Sequence, residues 1–228
     1  MERPSESSLD VESAVRERYS RGALERQESL CCPVPAGPSS FDHVPQEVIE
    51  KDYGCGDPSE FIREGDTVLD LGSGAGRICY VASRLVGPEG RVIGVDMNDD
   101  MLAVANRYVD QVAERLGHPK VEFRKGRIQD LQLNLDVVQQ ELEERPIRTV
   151  EEMGRYESFV RRQRREEPLV ETESIDLVVS NCVLNLVPDE EKPGLFREIH
   201  RVLRRGGRIA ISDIVCDETP TREMKMSS

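Results

Sequence analysis

The segment Val68-Leu69-Asp70-Leu71-Gly72-Ser73-Gly74-Ala75-Gly76 predicts a buried strand that ends in a glycine turn. A second apolar stretch follows it and ends in Asp96. Gly72 and Gly74 allow a tight turn and a close approach of the backbone to a ligand, and Gly76 allows a helix to pack on the strand. Asp96 then stands where a carboxylate can accept hydrogen bonds from two ribose hydroxyls. The pattern predicts half of a nucleotide-cofactor site.

The glycine spacing and the segments that follow narrow the fold class. The spacing differs from the Gly-x-Gly-x-x-Gly of dinucleotide binders, which implies a smaller cofactor. Further strands are predicted at 121–126, 176–181 and 208–213, and helices at 77–86, 98–116 and 189–203, with Gly206 and Gly207 turning the chain into the last strand. Strands that alternate with helices predict an α/β fold with a doubly wound parallel sheet.

The chain divides into three parts by composition. Residues 1–59 are expected to hold a disordered segment over 1–10, a short helix with Val11, Val15 and Leu24 on its apolar face, and cysteine-containing loops. Residues 60–216 form the cofactor-binding domain, and 217–228 form a polar tail.

An unusually long connection, at about 131–173, is interpreted as a helical insertion. Its apolar positions, Val150, Met153 and Val160, are only weakly periodic. A basic cluster of Arg161, Arg162, Arg164 and Arg165 lies beside the acidic Glu166 and Glu167. Two interpretations stay open. The insertion is a solvated appendage, which charge runs usually form, or it is a lid or docking surface for a partner.

Composition limits the partners. A net charge of −13 and a pI near 4.8 disfavour nucleic acid and anionic membranes, which the field of the protein would repel, and favour a small substrate. The sequence has no apolar run long enough to span a membrane. Six cysteines without a secretory signal segment indicate reduced thiols, and hence the cytoplasm.

Asp-x-Gly-x-Gly-x-Gly after a strand resembles motif I of the class I S-adenosylmethionine (SAM) methyltransferases, and the predicted strands extend the resemblance over residues 60–215. The resemblance implies a Rossmann-like fold and SAM as the cofactor. It assigns contacts with the methionine end to Asp70, Gly72, Ser73, Gly74 and Gly76. It assigns the ribose to Asp96 and the adenine face to Met97. The adenine edge is assigned to Ile128 and Gln129, and the pocket floor to Asn181.

Three thiol-bearing loops resemble those of the arsenite methyltransferase family: Cys31-Cys32-Pro33, Tyr53-Gly54-Cys55-Gly56 and Ser180-Asn181-Cys182. The resemblance implies that Cys31, Cys32, Cys55 and Cys182 take part in catalysis, and that Cys55 and Cys182 bind trivalent arsenic. It also implies arsenite or its thiol conjugates as substrate and a thiol reductant as partner. Arsenic is a soft, thiophilic centre, so thiolate ligands suit it.

Several alternatives remain open. Any of these cysteines can simply fill space, and Cys79 is expected to do so because it lies on the helix behind the glycine loop. Cys31 and Cys32 form a redox pair or are ordinary loop thiols. Zinc is less favoured, since the sequence has no Cys-x-x-Cys pair.

The chain departs from the family after the fifth strand, where the usual helix and antiparallel hairpin are missing. Cys216 is a weak candidate for a third arsenic ligand. The alternative functions are therefore a catalytically impaired module that binds SAM or a metalloid, and a methyltransferase of another small molecule.

Overall fold

The computed structural model describes residues 8–24, 42–54, 56–117 and 121–215. Within these ranges, five strands form one parallel sheet in the order β3-β2-β1-β4-β5. The strands are β1 Thr67–Leu71, β2 Arg91–Asp96, β3 Val121–Lys125, β4 Ile175–Asn181 and β5 Leu203–Ser212.

Eight α-helices accompany the sheet in the described part of the chain. They are α1 Ser8–Leu24, α2 Gln46–Glu50, α3 Arg77–Leu85, α4 Asp99–Asn106, α5 Val109–Leu116, α6 Leu135–Glu144, α7 Val150–Glu166 and α8 Lys192–Val202. Two short 3₁₀ turns occur at Pro58–Phe61 and Leu184–Leu186.

Both faces of the sheet are buried at the central strands β1, β2 and β4, as their near-continuous apolar residues predict. Leu69 on β1 packs in a cluster that includes Leu195 and Ile199 of α8. Its neighbour Val68 points to the other face and packs with Ile78 of α3. Successive strand residues thus serve opposite cores, which confirms the predicted doubly wound α/β fold.

The strand order reverses next to β1. The chain moves outward from β1 through β2 to β3 and then returns to place β4 on the other side of β1. The loops after β1 and β4 therefore leave in opposite directions and open a crevice at the carboxyl ends of the strands, the usual ligand site of such sheets.

The predicted helix over 98–116 is wrong in its middle, because α4 and α5 are separate helices. Tyr108 leaves helical geometry with φ −111° and ψ 1°. Its hydroxyl donates a hydrogen bond to the Glu47 carboxylate at the start of α2. A contact with a distant segment accompanies the break.

Other features also differ from the predictions. Helix α1 includes residues 8–10, which the sequence places in a disordered segment, and Leu24 is 79% exposed, so it lies outside any apolar face of that helix. The last strand begins at Leu203, and Gly206 and Gly207 lie inside it. The pairing with β4 shifts there, from Ile175 opposite Leu203 to Leu177 opposite Arg208, and the φ of +81° at Gly206 accommodates this irregularity.

The region predicted as an insertion contains α6 and α7. Val150 and Met153 are 86% and 46% exposed, and only Val160 of the three predicted apolar positions is buried. Arg164 anchors α7 to Asp130 through an ion pair of 2.6 Å. These helices present most of their surface to solvent, whereas the role of the region stays a prediction.

The Glu47 carboxylate joins α2 to the break between α4 and α5. It accepts hydrogen bonds from Lys51 and Tyr108 and, at 2.7 Å, from Arg107. These donors, Lys51 first, lower the pKa of Glu47 to about 2. Because the folded-state pKa lies below that of the unfolded chain, this stabilisation is present above about pH 4.5 and is lost as the pH falls toward 2.

We therefore expect Glu47→Gln to lower the free energy of unfolding at pH 7, and the difference from the wild type to shrink by pH 4. Urea unfolding at both pH values measures it. Glu114→Gln, at an exposed position of α5, is the matched control and should show no such trend. A Glu47→Gln difference that is the same at both pH values would contradict the assignment.

Candidate functional site

A cavity with about 1080 Å³ of empty space, including its open mouth, lies at the carboxyl ends of the strands. Its wall contains nearly all of the predicted cofactor residues: Asp70, Gly72, Ser73, Gly74, Asp96, Met97, Ile128, Gln129 and Asn181. Cys182 lines the same cavity. Gly76 is the exception and stands behind the wall. Cys31, Cys32, Cys55 and Cys216 lie outside the described residues.

The glycine turn needs its glycines for two different reasons. Gly72 has φ +74°, and a Cβ there would lie 2.6 Å from the side chain of Val183 in the loop after β4. Gly76 has φ +89°, and a Cβ there would lie 2.5 Å from the ring of Phe123 on β3. Gly72 thus lets the loops of β1 and β4 meet at the cavity, and Gly76 lets α3 begin against the sheet.

Ser73 provides an unused polar group in this turn. Its side chain is 8% exposed, and its Oγ has no hydrogen-bond partner among the described residues. A buried hydroxyl without a partner is costly, and this one lies beside β2, 2.8 Å from where a Cβ on Gly94 would stand.

The Asp96 carboxylate is bonded to the backbone on both sides. One oxygen accepts a hydrogen bond of 2.8 Å from Gly74 N, and the other accepts one of 2.8 Å from Asn98 N. Burial raises the pKa of Asp96, and these backbone donors oppose the rise. Since each carboxylate oxygen can accept more than one hydrogen bond, both oxygens keep capacity for ligand hydroxyls.

Asp70 is hydrogen-bonded to Cys79, which the sequence predicts to be a packing residue. The Cys79 thiol, which is fully buried, donates a hydrogen bond of 3.4 Å to Asp70 Oδ2. Burial raises the pKa of the Cys79 thiol and raises that of Asp70 to about 7. Cys79 therefore stays protonated and serves as a buried donor to a carboxyl group of the cavity wall.

Cys182 follows β4 directly and has a left-handed backbone, with φ +57°. A residue other than glycine pays on the order of 1 kcal/mol or more for this conformation. The strand ends hold it there, because the N–H of Cys182 donates a hydrogen bond of 2.8 Å to the carbonyl of Ser212. The half-buried side chain reaches the cavity that the glycine turn also lines.

Asn181 has a second set of contacts besides its place in the cavity wall. Its Oδ1 accepts a hydrogen bond from Gly56 N, and its Nδ2 donates one to Gly56 O, each at 2.9 Å. The predicted pocket-floor residue thus also holds the backbone of a loop far away in sequence.

Helix α1 closes one side of the cavity with Val15, Arg16 and Tyr19, which sequence reasoning missed. The amide of Asn98 donates hydrogen bonds to Arg16 O (2.9 Å) and Ser20 Oγ (3.1 Å). No local pattern in α1 indicates this, because the partner lies about eighty residues further along the chain.

Among the described residues, no group of three or more His, Cys, Asp or Glu side chains is arranged to hold a metal ion. Within the same ranges, no helix is both long and apolar enough to cross a lipid bilayer.

Comparison with known proteins identifies the family. The sequence matches the family model described as a methyltransferase domain over residues 62–228. The chain belongs to the methyltransferase domain family. This methyltransferase domain has the doubly wound parallel sheet and the glycine turn that the sequence predicts.

Curated arsenite methyltransferases are similar to this methyltransferase domain over most of its length. That of Aquipseudomonas alcaligenes is 37% identical over 209 residues, covering 90% of this chain and 50% of that protein. That of Homo sapiens is 34% identical over 219 residues, covering 93% of this chain and 48% of that protein. The resemblance inferred from the cysteine loops is confirmed, and the chain spans about half the length of these relatives.

A solved structure is also similar to this chain. The crystal structure of an arsenic(III) S-adenosylmethionine methyltransferase from Chlamydomonas reinhardtii is 35% identical, with a TM-score of 0.61. The match covers 86% of this chain and 54% of that one.

The buried carboxyl group of Asp70 makes stability depend on pH. Its folded-state pKa lies above that of the unfolded chain, so the folded state is favoured at low pH and loses stability as the pH rises toward about 7. We expect Asp70→Asn, without ligand, to gain stability over the wild type from pH 5 to pH 8 by a few kcal/mol, since one pKa unit corresponds to about 1.4 kcal/mol. Urea unfolding across this range measures it. The exposed Asp110→Asn is the control, and a constant difference for Asp70→Asn would contradict the prediction.

Asn98 has two functions that one substitution separates. Its Oδ1 caps α4 by accepting from Asp100 N and Met101 N, whereas its Nδ2 holds α1. We expect Asn98→Asp to keep the cap and release the helix, so hydrogen exchange should accelerate in α1 and not in α4. Asn98→Ala should accelerate both, with a cost of about 1 kcal/mol for the lost cap. Unchanged exchange in α1 of Asn98→Asp would show that the amide does not hold the helix.

Proposed function

We propose that this chain is a SAM-dependent methyltransferase that transfers a methyl group to trivalent arsenic bound by thiolates. The observation that carries the proposal is the position of Cys182, which lies in the wall of the cavity that the glycine turn and Asp96 also form. The arsenite methyltransferase relatives support the same substrate. Cys55 and Cys182 are the proposed arsenic ligands.

The residues of the cavity fit SAM. Asp70 and Asp96 offer carboxyl groups at the cavity, and the glycines at positions 72 and 74 leave the backbone of the turn open to a ligand. Asp70 and the glycine turn are proposed to hold the methionine end, and Asp96 the ribose. Met97, Ile128 and Gln129 are proposed to contact the adenine, with Gln129 oriented by a hydrogen bond of 2.7 Å from its Nε2 to Glu191.

The proposed chemistry needs ligands more than it needs a base. Soft thiolates hold a thiophilic centre and leave its lone pair for reaction. When bound, SAM supplies a methyl group on a positively charged sulfur; the arsenic lone pair forms the new bond to carbon, and the electrons of the carbon–sulfur bond stay on that sulfur. Cys55 and Cys182 contribute by fixing arsenic in the cavity, since a fixed orientation turns a bimolecular reaction into an effectively unimolecular one.

Methyl transfer raises the formal oxidation state of arsenic by two, so two electrons are needed to return it to the trivalent form. We propose a dithiol as their source, which becomes a disulfide and releases two protons. Cys31 and Cys32 are candidates for a relay in this exchange. A reducing compartment, the cytoplasm, suits this requirement.

The experiment is a reaction of the purified chain with arsenite, SAM and dithiothreitol, with methylated arsenic measured by chromatography and elemental detection. We expect product from the wild type and at least about a 100-fold slower reaction from Cys182→Ser, because one ligand that orients arsenic is lost. SAM binding, measured by calorimetry, should persist in the variant, which makes it the internal control.

Two other results would contradict the proposal in different ways. Wild-type rates from Cys182→Ser would remove this thiol from the proposal. A folded wild-type chain that binds SAM and yields no methylated arsenic would overturn arsenic methylation and favour a binding module or another methyl acceptor.

A further inference from the structure

Two polar side chains, the half-buried Asn181 and the buried Arg77, hydrogen-bond the backbone of Gly56. The amide of Asn181 bonds both the N–H and the C=O of Gly56 at 2.9 Å. The guanidinium of Arg77, which is 5% exposed, donates a hydrogen bond of 3.2 Å to Gly56 O. Arg77 also forms an ion pair of 2.5 Å with Asp52. These contacts fix the backbone of Gly56 and the side chain of Asp52.

The glycines of this loop allow close contact with the ends of β4 and β5. A Cβ on Gly54 would lie 2.0 Å from Asn181 Nδ2. A Cβ on Gly56 would lie 2.0 Å from Ser212 Oγ. A side chain at either position would therefore displace Asn181 or Ser212, or move the loop away from the strand ends, since the backbone approaches closely only where a side chain is missing.

The ion pair between Arg77 and Asp52 is an expensive way to hold a loop. Burial raises the pKa of Asp52, and the Arg77 charge opposes the rise. A buried ion pair repays its desolvation only where the geometry is good, and so contributes little net stability. Its value here is the fixed geometry that it gives to the loop.

We propose that Asn181 and Arg77 are positioning residues of the arsenic site. They hold the backbone of Gly56, the residue that follows Cys55 in the sequence, against the end of β4, where the residue that follows Asn181 is Cys182. Two thiols on separate loops then act together on one thiophilic centre. This inference rests on the proposed function and adds the groups that make its two ligands a preorganised pair.

The physical consequence concerns ligands that form two bonds. The second bond to a bound arsenic centre is intramolecular, and its strength follows the effective concentration of the second thiol. A loop that is no longer fixed lowers this concentration. Each thiol alone keeps its reactivity. Affinity for a two-thiol ligand should therefore fall while reactions with one thiol do not change.

Phenylarsine oxide is a suitable probe, because it forms two arsenic–sulfur bonds with two thiols and releases one water molecule. The test uses the full chain with Cys31→Ser, Cys32→Ser and Cys216→Ser, which leaves Cys55, Cys182 and the buried Cys79. Binding is followed by the ultraviolet absorbance of the arsenic–thiolate bonds. The variants in this background are Asn181→Asp, Gly54→Ala and, as control, Gly154→Ala on α7, where an added Cβ meets nothing within 4 Å.

We expect Asn181→Asp and Gly54→Ala each to weaken phenylarsine oxide binding by about tenfold or more, and Gly154→Ala to bind normally. The rate at which iodoacetamide alkylates Cys182 should stay the same in Gly54→Ala, which adds no charge, and the melting temperature of both variants should stay within a few degrees of the parent. A general structural defect would change these two readouts, so a loss of affinity that only accompanies such changes would overturn the inference.

Cys55→Ser and Cys182→Ser in the same background separate the two proposals. If neither weakens binding, the thiol pair of the proposed function is wrong. If both cysteine variants weaken binding of phenylarsine oxide while Asn181→Asp and Gly54→Ala bind it like Gly154→Ala, the two thiols remain the proposed ligands. The positioning role is then overturned. A loss in only one of the two positioning variants also overturns that role, since both disturb the same contact.

Discussion

The Asp96 carboxylate is the group through which the elements around the cavity are joined. Its two oxygens accept hydrogen bonds from Gly74 N and Asn98 N, so the end of β2 fixes the glycine turn of β1 and the start of α4 together. The side-chain amide of Asn98 in turn donates a hydrogen bond to the backbone of α1 at Arg16 O. A carboxylate can do this only because backbone donors offset the cost of burying it. The position of the cavity wall therefore depends on one acidic side chain.

The same wall contains a carboxyl group whose burial is not offset in this way. Asp70 has the Cys79 thiol, a weak donor, as its hydrogen-bond partner, and its pKa rises to about 7. Stability is thus lower near neutral pH than a neutral side chain would give. Binding sites often retain such groups, because a ligand that needs a carboxyl group compensates for its burial only when it is bound.

Features of the fold and the cavity were predictable from the sequence when the residues that form them lie close together in the chain. The strands and the glycine turn are local patterns, and the predicted cofactor residues except Gly76 lie in the cavity wall. The break at Tyr108 was not predictable, because its hydroxyl bonds Glu47 about sixty residues earlier. The hold of Asn181 on Gly56 spans 125 residues and gives no local signal. The irregular start of β5 depends on its pairing with β4, which a single segment does not encode.

Burial distinguishes the two cysteines that the structure describes, Cys79 and Cys182. Cys79 on α3 is fully buried, and its raised pKa keeps it a protonated thiol beside Asp70. Cys182 stands at the end of β4 with its side chain at the cavity, in a left-handed conformation that the strand ends maintain. A thiophilic substrate needs thiolates that it can reach, which Cys79 does not provide. The strained turn after β4 places Cys182 at the cavity, where we propose that it binds arsenic, and Asn181 and Arg77 hydrogen-bond the backbone of Gly56 nearby.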